Sequence, residues 1–342
     1  MTVAGSSKKT ALVTGVSGFI AQHITDQLLK QGYRVRGTAR STTKYAALTD
    51  HFTSIYGKER FEIVEVKDLE DHGAFDEAVK AQDLIFHVAS PLPKEGLDPY
   101  QGFINPAVNG TLSLLNAAHL YGSASRVVLT SSFAAMRDEP RPADYVYSEK
   151  DWNESSLRSV KEQQKGQGIP KAYSASKSEA EKAAWKFMKE KQPRFDLACI
   201  NPVFVFGPPL LRIEREDDIR FSIRILYSHI NGELTSVNQQ PNNFVDVRDV
   251  ARAHVVAATE PRAAGQRFLL SAGAFSSARI AEIIRKRFPN LTKVPTGDPA
   301  DKLFCNADGS KATEILDIDY IGLEESVTDT IDALKHMVMD QM

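Results

Sequence analysis

Short apolar segments alternate with amphipathic segments between residues 10 and 201. The apolar segments are short and β-capable, which is typical of buried strands, and they predict strands at 10–14, 33–39, 61–66, 83–89, 126–130 and 196–200. Apolar residues at helical spacing predict helices at 19–31, 44–52, 71–81, 103–121 and 173–190, and the charged, Pro- and Gly-rich segment 137–170 predicts a long excursion. This alternation predicts an α/β protein with a parallel sheet covered by helices on both faces.

The alternation ends after Asn201-Pro202. Residues 207–240 combine a Gly-Pro-Pro segment, mixed charges and an apolar helix, and residues 244–258 then return to a strand and a helix. A short strand at 266–272 and helices at 276–288 and 323–339 follow. We therefore predict two domains built from discontinuous segments. The larger comprises residues 1–201 and 242–258, and the smaller, C-terminal domain comprises residues 202–241 and 259–342.

Residues 10–21 place a glycine turn between a predicted strand and a predicted helix. Gly15 permits a tight turn, Gly18 lets the backbone approach a pyrophosphate, and the small Ala21 lets helix and strand pack closely. The N-terminus of the helix offers free N–H groups and partial positive charge to the phosphates. The glycine spacing alone is weak evidence, but a strand before it and a helix after it are the context that the motif requires. The pattern predicts a Rossmann-type, doubly wound domain that binds a dinucleotide.

The end of the second predicted strand indicates the form of that dinucleotide. A carboxylate there would bind the ribose 2′-hydroxyl of NAD, whereas an arginine accommodates the 2′-phosphate of NADP. Residues 36–44 contain Arg36, Arg40 and Lys44 and no acidic residue. A solvated basic run is the alternative interpretation, but the location favours NADPH.

Tyr173 and Lys177 lie four residues apart in a predicted helix, and therefore on one of its faces. A lysine cation favours the phenolate of a neighbouring tyrosine, so such a pair can exchange a proton with a carbonyl or alcohol oxygen. An isolated pair of this kind is more often a packing tyrosine and a solvated lysine. Ser132 changes this interpretation, because it ends a predicted strand at the edge where open α/β sheets bind ligands. Either Ser132 or Ser131 could face the ligand, and strand-end capping is the alternative role.

The composition of the chain narrows its function class. A formal net charge of −2, without a basic cluster interleaved with aromatics, argues against nucleic acid or an anionic membrane as partner. Cys199 and Cys305 are too few for a disulfide framework or a zinc site, and the 8 histidines show no metal-ligand spacing, so no metal is expected. A polar N-terminus and no long apolar run favour a soluble cytoplasmic protein.

A set of motifs in a fixed order carries a family resemblance. The motifs are Thr14-Gly-Val-Ser-Gly-Phe-Ile-Ala21, Gly37-Thr-Ala-Arg40, His87-Val-Ala-Ser-Pro91, Pro106-Ala-Val-Asn-Gly110, Leu129-Thr-Ser-Ser132, Tyr173-Ser-Ala-Ser-Lys177, Asn201-Pro-Val-Phe-Val-Phe-Gly-Pro208 and Val245-Asp-Val-Arg-Asp-Val-Ala251. Together they resemble the extended short-chain dehydrogenases/reductases. More narrowly, the chain is similar to the dihydroflavonol-reductase-like branch, which includes yeast methylglyoxal, aldehyde and ketone reductases. The resemblance runs from Thr10 to Leu334.

The resemblance implies NADPH-dependent reduction of a small-molecule carbonyl substrate by a monomer or homodimer. Ser132 would orient the carbonyl, Tyr173 would donate the proton, and Lys177 would favour the phenolate and hold the nicotinamide ribose. Asn109 would support the proton relay. The implied cofactor-binding residues are Gly15, Ser17, Gly18, Phe19, Ile20, Arg40, Lys44, Asp68, Leu69, Ala89, Ser90, Ser131, Tyr173, Lys177, Pro202 and Val205. Leu92, Phe133 and Phe204 would line the substrate pocket, with ordinary core packing as the alternative.

Two other functions compete with carbonyl reduction. A nucleotide-sugar epimerase or dehydratase can share the same Ser, Tyr and Lys, but such enzymes prefer bound NAD, which Arg40 and Lys44 disfavour. A non-catalytic dinucleotide sensor is the second alternative. A sensor has no need of a proton relay, so the combination of Ser132, Tyr173 and Lys177 argues against it.

Overall fold

The computed structural model describes residues 9–90, 98–162, 169–219, 221–300 and 303–339. The chain divides into two compact units. Unit one comprises Met1–Glu139, Asp151–Asn201 and His254–Arg267, and unit two comprises Pro140–Lys150, Pro202–Ala253 and Phe268–Met342.

The strands and the α-helices have the following bounds. The strands are β1 (Thr10–Thr14), β2 (Arg34–Ala39), β3 (Phe61–Glu65), β4 (Leu84–His87), β5 (Arg126–Thr130), β6 (Asp196–Pro202), β7 (Phe204–Phe206), β8 (Asn242–Asp246), β9 (Arg267–Leu270) and β10 (Gly273–Phe275). The α-helices are α1 (Phe19–Lys30), α2 (Ala46–Tyr56), α3 (Asn105–Tyr121), α4 (Ser155–Glu162), α5 (Ile169–Lys191), α6 (Phe221–Tyr227), α7 (Val247–Ala257), α8 (Ser277–Arg287), α9 (Ser310–Leu316), α10 (Leu323–Leu334) and α11 (His336–Met339). None of these helices is long and apolar enough to cross a membrane.

The central sheet has the strand order β3-β2-β1-β4-β5-β6-β9. Neighbouring strands from β3 to β6 pair in parallel. The order reverses direction between β1 and β4, and this reversal creates the switch point at which open α/β sheets bind ligands, beyond the carboxyl ends of the strands. The prediction of a Rossmann-like α/β protein is confirmed.

The core of unit one explains why its central strands, such as β1 and β4, are largely apolar on both faces. Leu12, Ile85 and Val127 of the sheet form one cluster with Leu114 of α3 and Phe187 of α5. A parallel sheet is covered by helices on both faces, so both sets of alternating side chains must be apolar. All residues of β4 are buried for this reason. The packed sheet provides a rigid base for the loops that follow each strand.

Unit two has a smaller sheet with the order β10-β8-β7. Strand β8 is parallel to β7 and antiparallel to β10. The rings of Phe206 and Phe244 are stacked with centroids 6.2 Å apart, and the Phe275 ring lies edge-on to Phe206 at 4.9 Å. Offset and edge-on pairs of this kind are the favoured aromatic geometries. An aromatic cluster therefore holds this sheet together.

Two segments differ from the sequence predictions. Residues 71–81, predicted as a helix, form a succession of turns, because Gly73 has a φ of +75°, which interrupts a right-handed helix. The predicted excursion 137–170 contains α4 and the start of α5. Helix α5 therefore begins at Ile169, and Tyr173 lies in its second turn rather than at its first residue.

Candidate functional site

The glycine turn after β1 is constrained by its neighbours. Gly15 has a φ of +64°, and a Cβ atom there would lie 2.9 Å from the Cα of Ala89. Gly37 lies inside β2, where a Cβ atom would lie 2.6 Å from the Val16 side chain in the same turn. Glycine is thus required on both sides of the turn. Gly37 was predicted only as part of a family motif, without this constraint, although a glycine in the interior of a strand is a recognised signal of close backbone approach.

The N-terminus of α1 fits a pyrophosphate. Gly18 is its N-cap residue, and the first turn carries no acidic side chain that would repel an anion. Ser17, Phe19 and Ile20 are half-buried at this end of the helix. The first N–H groups of a helix have no partner within the helix, and together with the helix dipole they attract phosphate. The N-terminus of α1 therefore has the features that the motif requires, and pyrophosphate binding there stays a prediction.

Two exposed cations follow β2. Arg40 comes directly after the strand, and Lys44 lies one short turn later with its Nζ 5.7 Å from the centroid of the Tyr45 ring. Neither forms an ion pair with any residue that the structure describes. Arg36, by contrast, is occupied, because its Nε donates to Glu62 at 2.8 Å. Arg40 and Lys44 are available to a 2′-phosphate, and Arg36 is not.

Asn109 lies close to the segment that follows β3. Its amide donates to the carboxylate of Glu70 at 3.2 Å, and the Asp68 carboxylate accepts from the Glu70 N–H at 2.9 Å. Leu69 packs against the same helix, since a Cβ atom on Gly110 would lie 3.2 Å from it. The structure thus brings Asn109 together with Asp68 and Leu69, rather than bonding it to Tyr173 or Lys177. Its role in a relay stays a prediction.

The two serines after β5 have different environments. Ser131 is buried, and its hydroxyl donates to Glu181 at 2.6 Å. Ser132 is half-buried and caps a turn of 3₁₀-helix, Phe133–Ala135, by accepting from the Ala134 N–H at 3.1 Å. That bond uses an acceptor position of the hydroxyl and leaves its proton for another partner. Ser132 is therefore both a capping serine and a hydroxyl able to donate to a ligand.

Helix α5 carries Tyr173 and Lys177 one turn apart, as predicted. It packs against the 3₁₀-turn that Ser132 caps. Tyr173 is 43% exposed, and Lys177 is half-buried. Lys177 lines a cavity of about 20 Å³, whose other walls include Ala89, Ser90 and Ser131. The ends of β4 and β5 and one face of α5 thus meet in unit one.

His87 is a buried neutral residue beside this cavity. The Thr14 hydroxyl lies 2.9 Å from His87 Nδ1 and accepts from the N–H groups of Val88 and Ala89 at 3.1 and 3.0 Å. A hydroxyl has one proton and two acceptor positions, so the Thr14 proton points at Nδ1 and the imidazole proton is on Nε2. Burial, with a smaller effect from the positive charge of Lys177, lowers the pKa of His87 from 6.5 to about 3.

We expect His87 to make the fold acid-sensitive. In the unfolded chain this histidine takes up a proton below pH 6.5, whereas in the folded protein it stays neutral down to about pH 3. The contribution of neutral His87 to the free energy of unfolding is therefore complete above pH 6.5. It is lost as the pH falls from 6.5 towards 3. Between pH 6.5 and 4.5 the loss is about 2–3 kcal/mol.

Urea unfolding at both pH values should show a smaller loss for His87→Leu than for the wild type. The exposed His72 provides the control, since His72→Gln should match the wild type, and equal pH dependence in all three proteins would contradict this assignment.

Further residues were predicted to contact the cofactor or the substrate. Phe133 is buried in unit one, and Leu92 lies outside the described residues. In unit two, Pro202 and Val205 are buried, and the half-buried Phe204 stacks on Phe221 with ring centroids 6.4 Å apart. Among the described residues, no group of three or more His, Cys, Asp or Glu side chains is arranged to hold a metal ion.

Known proteins resemble this chain over most of its length. A family model described as "NAD dependent epimerase/dehydratase family" matches residues 11–271. An uncharacterized oxidoreductase of Schizosaccharomyces pombe is 40% identical over 95% of this chain and 96% of its own length. An NADPH-dependent methylglyoxal reductase of Saccharomyces cerevisiae is 34% identical over 94% and 96% of the two chains. The crystal structure of Gre2 from Candida albicans in complex with NADPH has a TM-score of 0.85 and 34% identity, and covers 96% of this chain and 99% of that one.

Proposed function

This chain belongs to the NAD dependent epimerase/dehydratase family, and we propose that it is an NADPH-dependent carbonyl reductase, which converts a ketone or aldehyde into an alcohol. The observation that carries the proposal is the helix α5, which bears Tyr173 and Lys177 one turn apart and packs against the turn that Ser132 caps. NADPH dependence is stated for the methylglyoxal reductase relative, and the free cations after β2 support the same cofactor here.

Unit one holds the cofactor in this proposal. Gly15, Gly18 and the N-terminus of α1 bind the pyrophosphate, and Arg40 and Lys44 bind the 2′-phosphate. Ser17, Phe19, Ile20, Asp68, Leu69, Ala89 and Ser90 complete the proposed contacts of unit one. Ser131, which the resemblance also implies, is not among them, because its hydroxyl donates to Glu181. The resemblance implies Pro202 and Val205 of unit two as further contacts. Phe204, a residue of unit two, is a substrate contact that the family resemblance implies.

The protein's own residues handle the proton. When bound, NADPH supplies the hydride that the carbonyl carbon receives. The Ser132 hydroxyl donates a hydrogen bond to the carbonyl oxygen and orients it. Tyr173 transfers its phenolic proton to that oxygen, so that C=O becomes CH–OH, and the positive charge of Lys177 stabilises the phenolate left behind. A second proton, taken from solvent, then restores the neutral phenol of Tyr173.

The proposed substrates are apolar and often bulky carbonyl compounds. Phe204 is flanked by the exposed Phe221 on one side and by Phe275, edge-on at 5.8 Å, on the other. Apolar and aromatic linings of this kind bind ligands mainly by burying apolar surface, with a small number of polar groups fixing orientation. α-Dicarbonyls, aliphatic aldehydes and aryl ketones are therefore the classes we propose.

A reducing compartment, the cytoplasm, is part of this proposal. Cys199 is a fully buried thiol in the core of unit one, and Cys305 is also free. Structural disulfides are typical of oxidising compartments, whereas free thiols are typical of reducing ones.

Oxidation of NADPH, followed by its absorbance, tests the proposed activity. The panel contains methylglyoxal, an aliphatic aldehyde, an aryl ketone and a UDP-sugar. We expect turnover with at least one of the carbonyl compounds and formation of the matching alcohol. Epimerisation or dehydration of the UDP-sugar, with no carbonyl reduced, would support the epimerase alternative instead.

Phe204→Ala is expected to change the ranking of substrates. Removing the ring enlarges the proposed pocket, so kcat/KM for the aryl ketone should change by about tenfold relative to methylglyoxal, which corresponds to about 1.4 kcal/mol of differential transition-state binding. The affinity for NADPH should stay near that of the wild type. Phe206→Ala is the matched control, because Phe206 is a fully buried aromatic residue of the same strand. It should lower stability and leave the ranking unchanged. An unchanged ranking in Phe204→Ala would assign Phe204 to the core.

A further inference from the structure

Glu181 is a carboxylate with no exposed surface that belongs to none of the predicted sites. It accepts hydrogen bonds from the Ser131 hydroxyl at 2.6 Å, the Asn201 amide at 2.8 Å and the Arg267 Nε at 2.6 Å. The indole N–H of Trp185, one turn further along α5, adds a bond of 3.3 Å. Such a group is costly to bury and is stable only when its acceptor positions are filled.

Arg267 accounts for the charge of Glu181. It is 8% exposed, and besides pairing with Glu181 it donates to the carbonyl oxygen of Asp151 at 2.7 Å. Its guanidinium also lies over the Trp152 ring, 3.7 Å from the centroid. The ion pair therefore neutralises the carboxylate without Ser131 or Asn201. The hydrogen bonds from Ser131 and Asn201 to Glu181 have a separate effect, because they attach α5 to the carboxyl ends of β5 and β6.

The same attachment reaches the proposed catalytic groups. Asn201 donates to the main-chain carbonyl oxygen of Ser132 at 3.2 Å as well as to Glu181, and Ser131 is the residue before Ser132. Glu181 lies four residues after Lys177 and eight after Tyr173, so all three share one face of α5. Lys177, Ser131 and Glu181 also line the same small cavity.

We propose that Glu181 is a positioning residue for carbonyl reduction, which sets the separation of the Ser132 and Tyr173 hydroxyls by joining their two elements. This inference rests on the proposed function. Hydride and proton must reach the carbonyl group in one geometry, and a displacement of about 1 Å can cost roughly a hundredfold in rate. In this proposal the side chains of Glu181, Ser131 and Asn201 act through Ser132 and α5 rather than on the substrate itself.

Ser131→Ala tests this role without disturbing the ion pair. The variant removes the bond between β5 and Glu181, and we expect kcat to fall by about tenfold or more. Its Tm and its Kd for NADPH should stay close to those of the wild type. Ser131→Thr keeps a hydroxyl and should restore most of kcat. Trp185→Phe is the matched control, because it removes another donor to the Glu181 carboxylate but leaves the bonds between α5 and the strands in place. The kcat of this variant should stay near that of the wild type.

A charge-balanced variant tests Glu181 directly. Replacing Glu181 by Leu and Arg267 by Met together removes both charges, and exchanging a buried ion pair for apolar residues is often neutral for stability. We expect this protein to fold and to bind NADPH, with kcat reduced at least as far as in Ser131→Ala.

The outcomes separate this inference from the proposed function. A wild type that reduces carbonyls, with Ser131→Ala as active as Trp185→Phe, would overturn the positioning role alone. A raised Kd for NADPH with unchanged kcat in Ser131→Ala would also overturn it, because Ser131 would then be a cofactor contact. A wild type without any carbonyl reduction would overturn both.

Discussion

Tyr173→Phe is expected to lower kcat by about 10²–10⁴-fold, which is the usual contribution of a general acid. The substitution keeps the aromatic ring and removes only the hydroxyl. Tyr173 is 43% exposed, and the hydrogen bond that Ser176 makes to this residue goes to its main-chain oxygen, so the fold does not depend on the phenol. Steady-state NADPH oxidation with the best carbonyl of the panel measures the loss, and calorimetric titration measures the affinity for NADPH, which should be unchanged.

Tyr121→Phe provides the matched control for that experiment. Tyr121 ends α3 and is 50% exposed, so Tyr121→Phe removes a hydroxyl of comparable exposure from a residue that is not part of α5. Its kcat should equal that of the wild type. If Tyr173→Phe retains about half of the wild-type kcat or more, the assignment of Tyr173 as proton donor is wrong, since even a modest general acid contributes far more than twofold.

Arg40→Asp combined with Lys44→Ala is expected to remove the preference for NADPH over NADH. A 2′-phosphate offers several acceptor oxygens, which suit the fork of an arginine and the point charge of a lysine. Charge-assisted hydrogen bonds contribute roughly 1.5–3 kcal/mol each, and screening at an exposed site reduces this, so we expect the preference to fall by about 10–100-fold. The apparent KM for NADPH should rise more than that for NADH. Both constants are measured for the wild type and the double variant.

Arg36→Gln serves as the control for charge removal on the same strand. Arg36 is engaged with Glu62, so its loss should leave the ratio of the two KM values unchanged. A wild type that uses NADH as efficiently as NADPH would contradict the role of Arg40 and Lys44. It would also favour the alternative function, an epimerase with bound NAD.

Local sequence was sufficient for those parts of the site that a single segment builds. The strand, glycine turn and helix at residues 10–30 follow from apolar spacing and from the absence of side chains at Gly15 and Gly18. The spacing of Tyr173 and Lys177 follows from helical periodicity alone, and the family resemblance that these motifs carry is confirmed. Such features are local, because backbone propensity and a pattern within one turn or strand decide them.

Tertiary structure decided every feature that depends on a neighbour distant in sequence. The strand pattern left open which of Ser131 and Ser132 faces the ligand, and only the approach of Glu181 on α5 directs the Ser131 hydroxyl into the core. The sequence pattern identifies Gly37 only as a strand residue. Position 37 requires glycine because the Val16 side chain lies against β2 and leaves no room for a Cβ atom.

The surroundings of Asn109 and Glu181 depend on tertiary packing in the same way. Asn109 meets Glu70 because α3 packs beside the segment after β3. Glu181 looks like an ordinary helical acid in the sequence, and its burial becomes tolerable only because Arg267, 86 residues away, is folded against it. Periodicity specifies which face a residue occupies, but the partner on that face is set by the packing of the sheet and its helices.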